Sequence, residues 1–184
     1  NRGSNYAVND VLTLPGPITG ISSQLYDTVT GVTTTLVDGS AQITVADTSN
    51  IAVGSTVTVT TGPGELSDPT TVVSVDNATT LTLSGNPVVA GSATLTFTPA
   101  DPSTITIADT TGINILDNVT VTAGTGVLPS GTTVSTVTTG AVTLSNPPTT
   151  AGTVTLTFSP AYGSGSSFAF TITNLGAVET VEIT

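Results

Sequence analysis

Apolar and polar residues alternate with a period of two through much of this chain. In 55–61, Ser-Thr-Val-Thr-Val-Thr-Thr, Val57 and Val59 fall on one side and the threonines on the other. The same alternation runs through QITVA (42–46), TTVVSV (70–75), TTLTLS (79–84) and SATLTF (92–97). Short runs rich in Val, Ile and Thr with this period read as β-strands with one buried face. Gly, Pro, Asn and Asp punctuate them, as in Asp38-Gly39, Asp76-Asn77 and Gly85-Asn86-Pro87, and these read as turns. No segment carries a helical stripe.

The pattern also repeats. Residues 40–97 align with residues 102–158 at an offset of about 62 positions, then about 61 after one deletion. Ile43 matches Ile105, Asp47 matches Asp109, Ile51 matches Ile113, and Val57 and Val59 match Val119 and Val121. Leu83 matches Leu144 and Gly91 matches Gly152. Each copy closes on a Leu-x-Phe, Leu95/Phe97 against Leu156/Phe158. Five short strands in about 60 residues predict a small barrel or sandwich, marginal alone and helped by a neighbour.

The two ends look like one broken unit. Phe168, Phe170 and Ile172 alternate, Asn174-Leu175-Gly176 turns, and Val178, Val181 and Ile183 lie on a return arm. The amino terminus supplies Arg2, Tyr6, Val8, Val11 and Leu12. These eleven residues are the expected subunit junction, with Tyr6, Phe168 and Phe170 sharing a small core. Arg2 would mark the register against Glu179 or Glu182, a partly exposed pair contributing only about 0–1 kcal/mol. Three arrangements join such halves: consecutive repeats of a tandem array, closure within one molecule, or completion of one subunit's sheet by the end of the next. The last is the arrangement on which the assembly expectation rests. The expected fold class is therefore all-β: tandem small β-barrel or sandwich modules plus a terminal hairpin module split between the chain ends. The expected division is 1–39 (N-terminal strand and connection, with 15–39 unassigned), 40–100 (first module), 101–159 (second module) and 160–184 (C-terminal hairpin).

Composition narrows the chemistry. Among 184 residues there are 12 carboxylates and one basic residue, Arg2, giving a net charge of −11; there is no Lys, His, Cys, Met or Trp. Charged residues are 7%, where an ordinary domain has about 25%. Polarity comes instead from hydroxyls, including 43 threonines. Without Lys there is no P-loop and no Schiff base. Without His or Cys, structural zinc, thiolate chemistry and Ser–His–Asp triads are excluded. A chain with one cation repels nucleic acid, and no apolar run of about 18 residues is present to span a membrane. The chain does not begin with Met, so it is expected to be processed or part of something longer.

The carboxylates are the remaining chemical groups. Asp47 and Asp109 sit in equivalent ADTSN and ADTTG loops. Calcium would want several oxygen ligands, but no D-x-D-x-D-G loop is present, and Asp before Thr or Ser reads as a turn cap. ADTTG departs from the Asp-Thr-Gly of aspartic proteases by its extra Thr. Glu65 and Asp68 could serve a glycosidase only with a substrate platform, and aromatics are 4%. Asn77-Ala78-Thr79 and Asn118-Val119-Thr120 match glycosylation sequons, as chance allows in a chain this rich in Thr. No catalytic residue, cofactor or metal is expected.

Written consecutively, the ends give VETVEIT followed by NRGSNYAVNDVLTL. This resembles the repeat V-T-V-x-N-G-G-x-G-Y-x-V-G-D-x-L-T of structural proteins of marine and cyanobacterial tailed phages. The paired ITVADTSNIAVGSTVTV and ITIADTTGINILDNVTV modules look like another such repeat. Arg2, Asn5 and Asn9 depart from it where the family has Gly, and the motif's halves lie at opposite ends. The resemblance implies a non-enzymatic virion component (fibre, tail or decoration protein), located on the virion or an extracellular surface. Its implied partners are further copies of itself, as a homo-oligomer or polymer, and other virion proteins, with no nucleic acid and no membrane. The alternative is a subunit of a bacterial or archaeal extracellular filament joined head-to-tail by donor strands. A receptor- or carbohydrate-binding module is a third reading, disfavoured by the scarcity of Trp and Tyr.

Overall fold

A computed structural model describes residues 11–13, 16–161 and 169–171. The described secondary structure is all-β. In chain order the strands are β1 (Val11–Thr13), β2 (Ile18–Leu25), β3 (Val29–Leu36), β4 (Gln42–Thr44), β5 (Thr56–Thr61), β6 (Glu65–Leu66), β7 (Thr70–Val75) and β8 (Thr80–Leu83). They continue with β9 (Pro87–Val89), β10 (Gly91–Thr98), β11 (Thr104–Thr106), β12 (Asn118–Gly124), β13 (Val134–Thr138), β14 (Ala141–Leu144), β15 (Gly152–Ser159) and β16 (Ala169–Thr171). The alternating runs of the sequence thus become β4, β5, β7, β8 and β10.

Alternation places one face of each strand in a core, and there are two cores. One gathers Leu36, Ile43, Val45, Ile51, Val57, Val72, Leu81, Leu83, Ala93, Leu95 and Phe97, with Val29 and Val32 packed against it. The other gathers Leu25, Ile105, Ile107, Ile113, Val119, Val134, Val142, Leu144, Val154, Leu156 and Phe158, with Ile18 and Ile21 beside it. The largest side chains, Phe97 and Phe158, are almost wholly enclosed.

Around the first core runs a six-stranded sheet in the order β3-β10-β5-β7-β8-β4. Its two edges, β3 and β4, lie beside each other. The Thr34 hydroxyl donates to the Thr44 carbonyl at 2.8 Å across that seam. Around the second core the orders are β12-β15-β2 and β11-β14-β13. A bridge from Asn118 to Thr133 links the two. There β11 lies beside β2, and the Ser23 hydroxyl donates to the Thr106 carbonyl at 3.0 Å. In both places a side-chain hydroxyl stands where a backbone ladder would close a barrel.

The segment unassigned by sequence supplies a strand to each core. ITGISSQL of β2 and VTGVTTTL of β3 are themselves a repeat, eleven positions apart. Both pair antiparallel with the last strand of a core: β3 with β10, from Leu36↔Gly91 to Val29↔Phe97, and β2 with β15, from Leu25↔Gly152 to Ile18↔Phe158. Each pairing shifts register opposite the Leu-x-Phe, where Gly31 (φ +74°) and Gly20 (φ +78°) take a left-handed conformation. Only glycine adopts this without a Cβ clash, so these are glycine bulges.

The consequence is nesting. The unit closed by β3 and β10 (the inner unit) is inserted between β2 and β11 of the second (the outer unit). Beyond both, β1 pairs antiparallel with β16, Val11↔Thr171 to Thr13↔Ala169. Because each closing pair is antiparallel, the chain enters and leaves each unit at one end. The joint between units is polar: Gln24 Nε2 donates to Asn50 Oδ1 at 3.1 Å, and Gln24 Oε1 accepts from the Thr153 hydroxyl at 2.9 Å.

Gly54 (φ +85°) and Leu116 (φ +73°) occupy equivalent corners. Their N–H groups donate to equivalent carbonyls, Val72 and Val134, each at 2.8 Å. The hydrogen bond holds the corner left-handed whichever residue stands there, and for a non-glycine residue this costs about 1–2 kcal/mol. Leu116 is 62% exposed, so its side chain recovers little by burial.

Two outcomes follow from this geometry. Leu116→Gly raises stability by up to about 1 kcal/mol, because relief of strain exceeds glycine's added unfolded-state entropy, whereas Gly54→Leu lowers it by about 1–2 kcal/mol; urea denaturation reads both. Phe97→Ala removes about 3–5 kcal/mol from the inner core. Hydrogen exchange should then show faster exchange in β5, β7, β8 and β10, while the amides of β12–β15 keep their protection.

Candidate functional site

Three groups of residues bear on function: hydroxyls on the sheet faces, carboxylates in the turns, and the paired ends. The hydroxyls follow from the pleat. The outward residues of β3, β10 and β5 form cross-strand ranks, Thr33↔Thr94↔Thr61, Thr35↔Ser92 and Thr96↔Thr58. Where β10 meets β5 the register slips, and the extra residue, Thr60, turns its hydroxyl onto the Thr94 carbonyl at 3.0 Å. The outer unit repeats this with Thr122 and the Thr155 carbonyl at 3.1 Å. Two residues further on, the backbone runs close against its partner strand. A Cβ on Gly62 would lie 2.3 Å from the Ser92 carbonyl oxygen, and one on Gly124 would lie 2.1 Å from that of Thr153. Each bulge therefore needs a threonine to satisfy the partner strand and a glycine to let it approach.

The carboxylates are engaged by their own turns. Asp47 accepts from the Ser49 N–H and hydroxyl, each at 2.9 Å, and Asp109 accepts from the Thr111 N–H at 2.9 Å. Hydrogen bonding by Ser49, first through its backbone, holds the Asp47 carboxyl below its ordinary value; Thr111 does the same for Asp109, through its side chain and backbone. Asp76 is the most heavily bonded, accepting from the hydroxyls of Ser74 at 2.6 Å and Thr82 at 2.8 Å and from Gln42 Nε2 at 3.2 Å. Those three side chains, Ser74 foremost, lower its pKa. Asp117 is buried and accepts from the Asn114 N–H at 2.8 Å. Its counterpart Ser55 is also buried, and its hydroxyl has no partner among the described residues. Among the described residues no three carboxylates gather as a metal-binding group. Glu65 stands at the start of β6 and Asp68 in the loop that follows. Asn77 uses its side-chain oxygen to accept from the Thr79 N–H at 2.9 Å, and Asn118 opens β12.

Of the expected junction residues, Val11 and Leu12 lie in β1 and Phe170 in β16. The described pairing joins Leu12 to Phe170 within one chain. Arg2, Tyr6, Val8, Phe168, Ile172, Val178, Val181 and Ile183 lie outside the described residues. Sequence reasoning missed β2 and β3. The signal was present as the short repeat ITGISSQL/VTGVTTTL, inconspicuous beside the longer one.

No family model matches this chain, and no curated protein or solved structure matches it either.

The depressed carboxyls give a pH signature. A group whose folded pKa lies below its unfolded value, about 3.9 for Asp, stabilises the fold above that pH and loses the contribution as pH falls through the folded pKa. Asp76→Asn should therefore be less stable than the parent at neutral pH, with the difference shrinking as pH drops below about 4. Denaturation at constant ionic strength across that range measures it. The difference between the two proteins cancels the repulsion that the other carboxylates share.

Proposed function

We propose that this chain is a non-enzymatic structural protein of a tailed-phage virion, a fibre, tail or decoration component, assembling through β-strand and edge contacts between subunits or repeats. The observation that supports this most is the nested closure. Three antiparallel pairs, β1·β16, β2·β15 and β3·β10, return the chain each time to where it set out. Such a chain is an excursion from a root, the β1·β16 pair, between whose strands the outer and inner units are inserted in sequence. Among the described residues the root is three residue pairs wide. A two-stranded sheet of that kind is marginal on its own, and three or more strands with an apolar face are needed for stability. Among the described residues β1 and β16 pair only with each other, and further strands beside them would come from neighbouring copies or other virion proteins.

The surface suits a particle exposed to its surroundings. Hydroxyls keep it wetted with few charges, and Arg2 is the one residue after which trypsin could cut. A donor-strand filament would require β1 to leave its own chain. The in-chain partner of β1 gives that reading less support.

Antibodies raised against the chain should label phage particles in electron micrographs of lysed cultures. Label on cell-anchored fibres would favour the filament reading instead. Deleting residues 1–13 should abolish attachment to the particle while the spectra of both cores remain native. Undiminished attachment of that variant would exclude a role for the root.

A further inference from the structure

The end of the inner unit opposite its chain crossings is unlike its counterpart on the outer unit. Three backbone features gather it. The last pair of β3 and β10 is Leu36↔Gly91; β6 pairs with β9 through Glu65↔Val89; and the Gly64 N–H donates to the Ser92 carbonyl at 3.2 Å. These bring together the turn after Val37, the Gly62–Glu65 loop and β9. Three large aliphatic side chains stand exposed there: Val37 at 55%, Val88 at 63% and Val89 at 41%. The equivalent outer-unit positions carry Tyr26, Thr149 and Thr150. Of the counterparts gathered at the outer unit's end, one large aliphatic side chain is exposed, Val127 at 47%.

Charge changes at the same place. Glu65, opposite Val89, is exposed and replaces the outer unit's Val127; Asp38 adjoins Val37 and is exposed. The chain's one cation is Arg2, so nothing between residues 3 and 184 can neutralise these carboxylates. A second copy would meet them with its own acids, and like charges at an interface cost affinity. A cationic partner meets them favourably. Among the described residues β9 pairs only with β6, so its other side offers backbone groups to an extended chain.

We propose that this end of the inner unit docks a basic polypeptide segment that carries aliphatic side chains, the aliphatics covering Val37, Val88 and Val89 and the cations facing Asp38 and Glu65. This does not depend on how the root assembles.

The test uses the full chain and a synthetic peptide alternating lysine and valine. Controls alternate lysine with serine and glutamate with valine. Amide shifts induced by the lysine–valine peptide should centre on Val37, Glu65, Val88 and Val89. The Val88→Thr/Val89→Thr variant, which installs the outer unit's own residues, should bind about tenfold more weakly with an unchanged fold. Glu65→Gln should weaken binding and flatten its salt dependence. Equal binding of the lysine–serine peptide would reduce the effect to net charge and overturn the proposal. So would equal binding of the glutamate–valine peptide, shifts scattered over the threonine faces, or an unaffected double-threonine variant. Concentration-dependent broadening of the same amides without peptide would assign the surface to a second copy and equally overturn it.

Discussion

The backbone ladder between a unit's last strand and a strand that precedes the whole unit is the constraint on which this structure depends. Phe97 and Phe158 lie on those last strands, β10 and β15, at the centre of the two cores. A last strand left without its earlier partner would expose a row of unpaired N–H and C=O groups beside a large apolar side chain. The pairs β3·β10 and β2·β15 remove that exposure, and each does so across a long stretch of intervening chain. The price is contact order: the closing contacts are the most distant in sequence, and loop closure precedes any gain from them.

Hydroxyls do the work at the places where backbone pairing stops. The two seams are bridged by Thr34 and Ser23, the two register slips by Thr60 and Thr122, and the exposed Asp76 turn by Ser74 and Thr82. Threonine suits all these positions because its branched Cβ fits the pleat while its oxygen can donate to an adjacent carbonyl. That explains how a chain with so few charges remains polar at its surface. It also links composition to mechanism. The abundance of threonine supplies sheet shape, wetting and the closure of gaps with a single side chain.

The two units differ where their surroundings differ. The inner unit has a tight turn after Val37 where the outer unit, after Leu25, continues into the whole inner unit. The inner unit's far end carries Val37, Glu65, Val88 and Val89 where the outer unit's equivalent end carries Tyr26, Val127, Thr149 and Thr150. At one corner the outer unit keeps Leu116 left-handed where the inner unit has Gly54. A shared backbone plan thus fixes the hydrogen bonds, and local residues set what each end presents.

Much of this was legible in the residues themselves. Period-two alternation located β4, β5, β7, β8 and β10. The matched pairs Ile43/Ile105, Ile51/Ile113, Leu83/Leu144 and Phe97/Phe158 named core positions that the structure buries. The Asp47 and Asp109 turns were readable because a short polar side chain bonds its own neighbours, an interaction local in sequence. Partner choice was not local. Nothing in ITGISSQL says that it belongs with residues 152–159 and not with the nearer 91–98, because both strands present the same alternation and the same Leu-x-Phe. The short connection from β2 to β3 and the direct run from β10 to β11 settle it in space, since each unit has room for one closing strand. Strand character and the buried face were written in the sequence by side-chain period and shape; which strands close which core, and hence the nesting, was decided only by tertiary geometry.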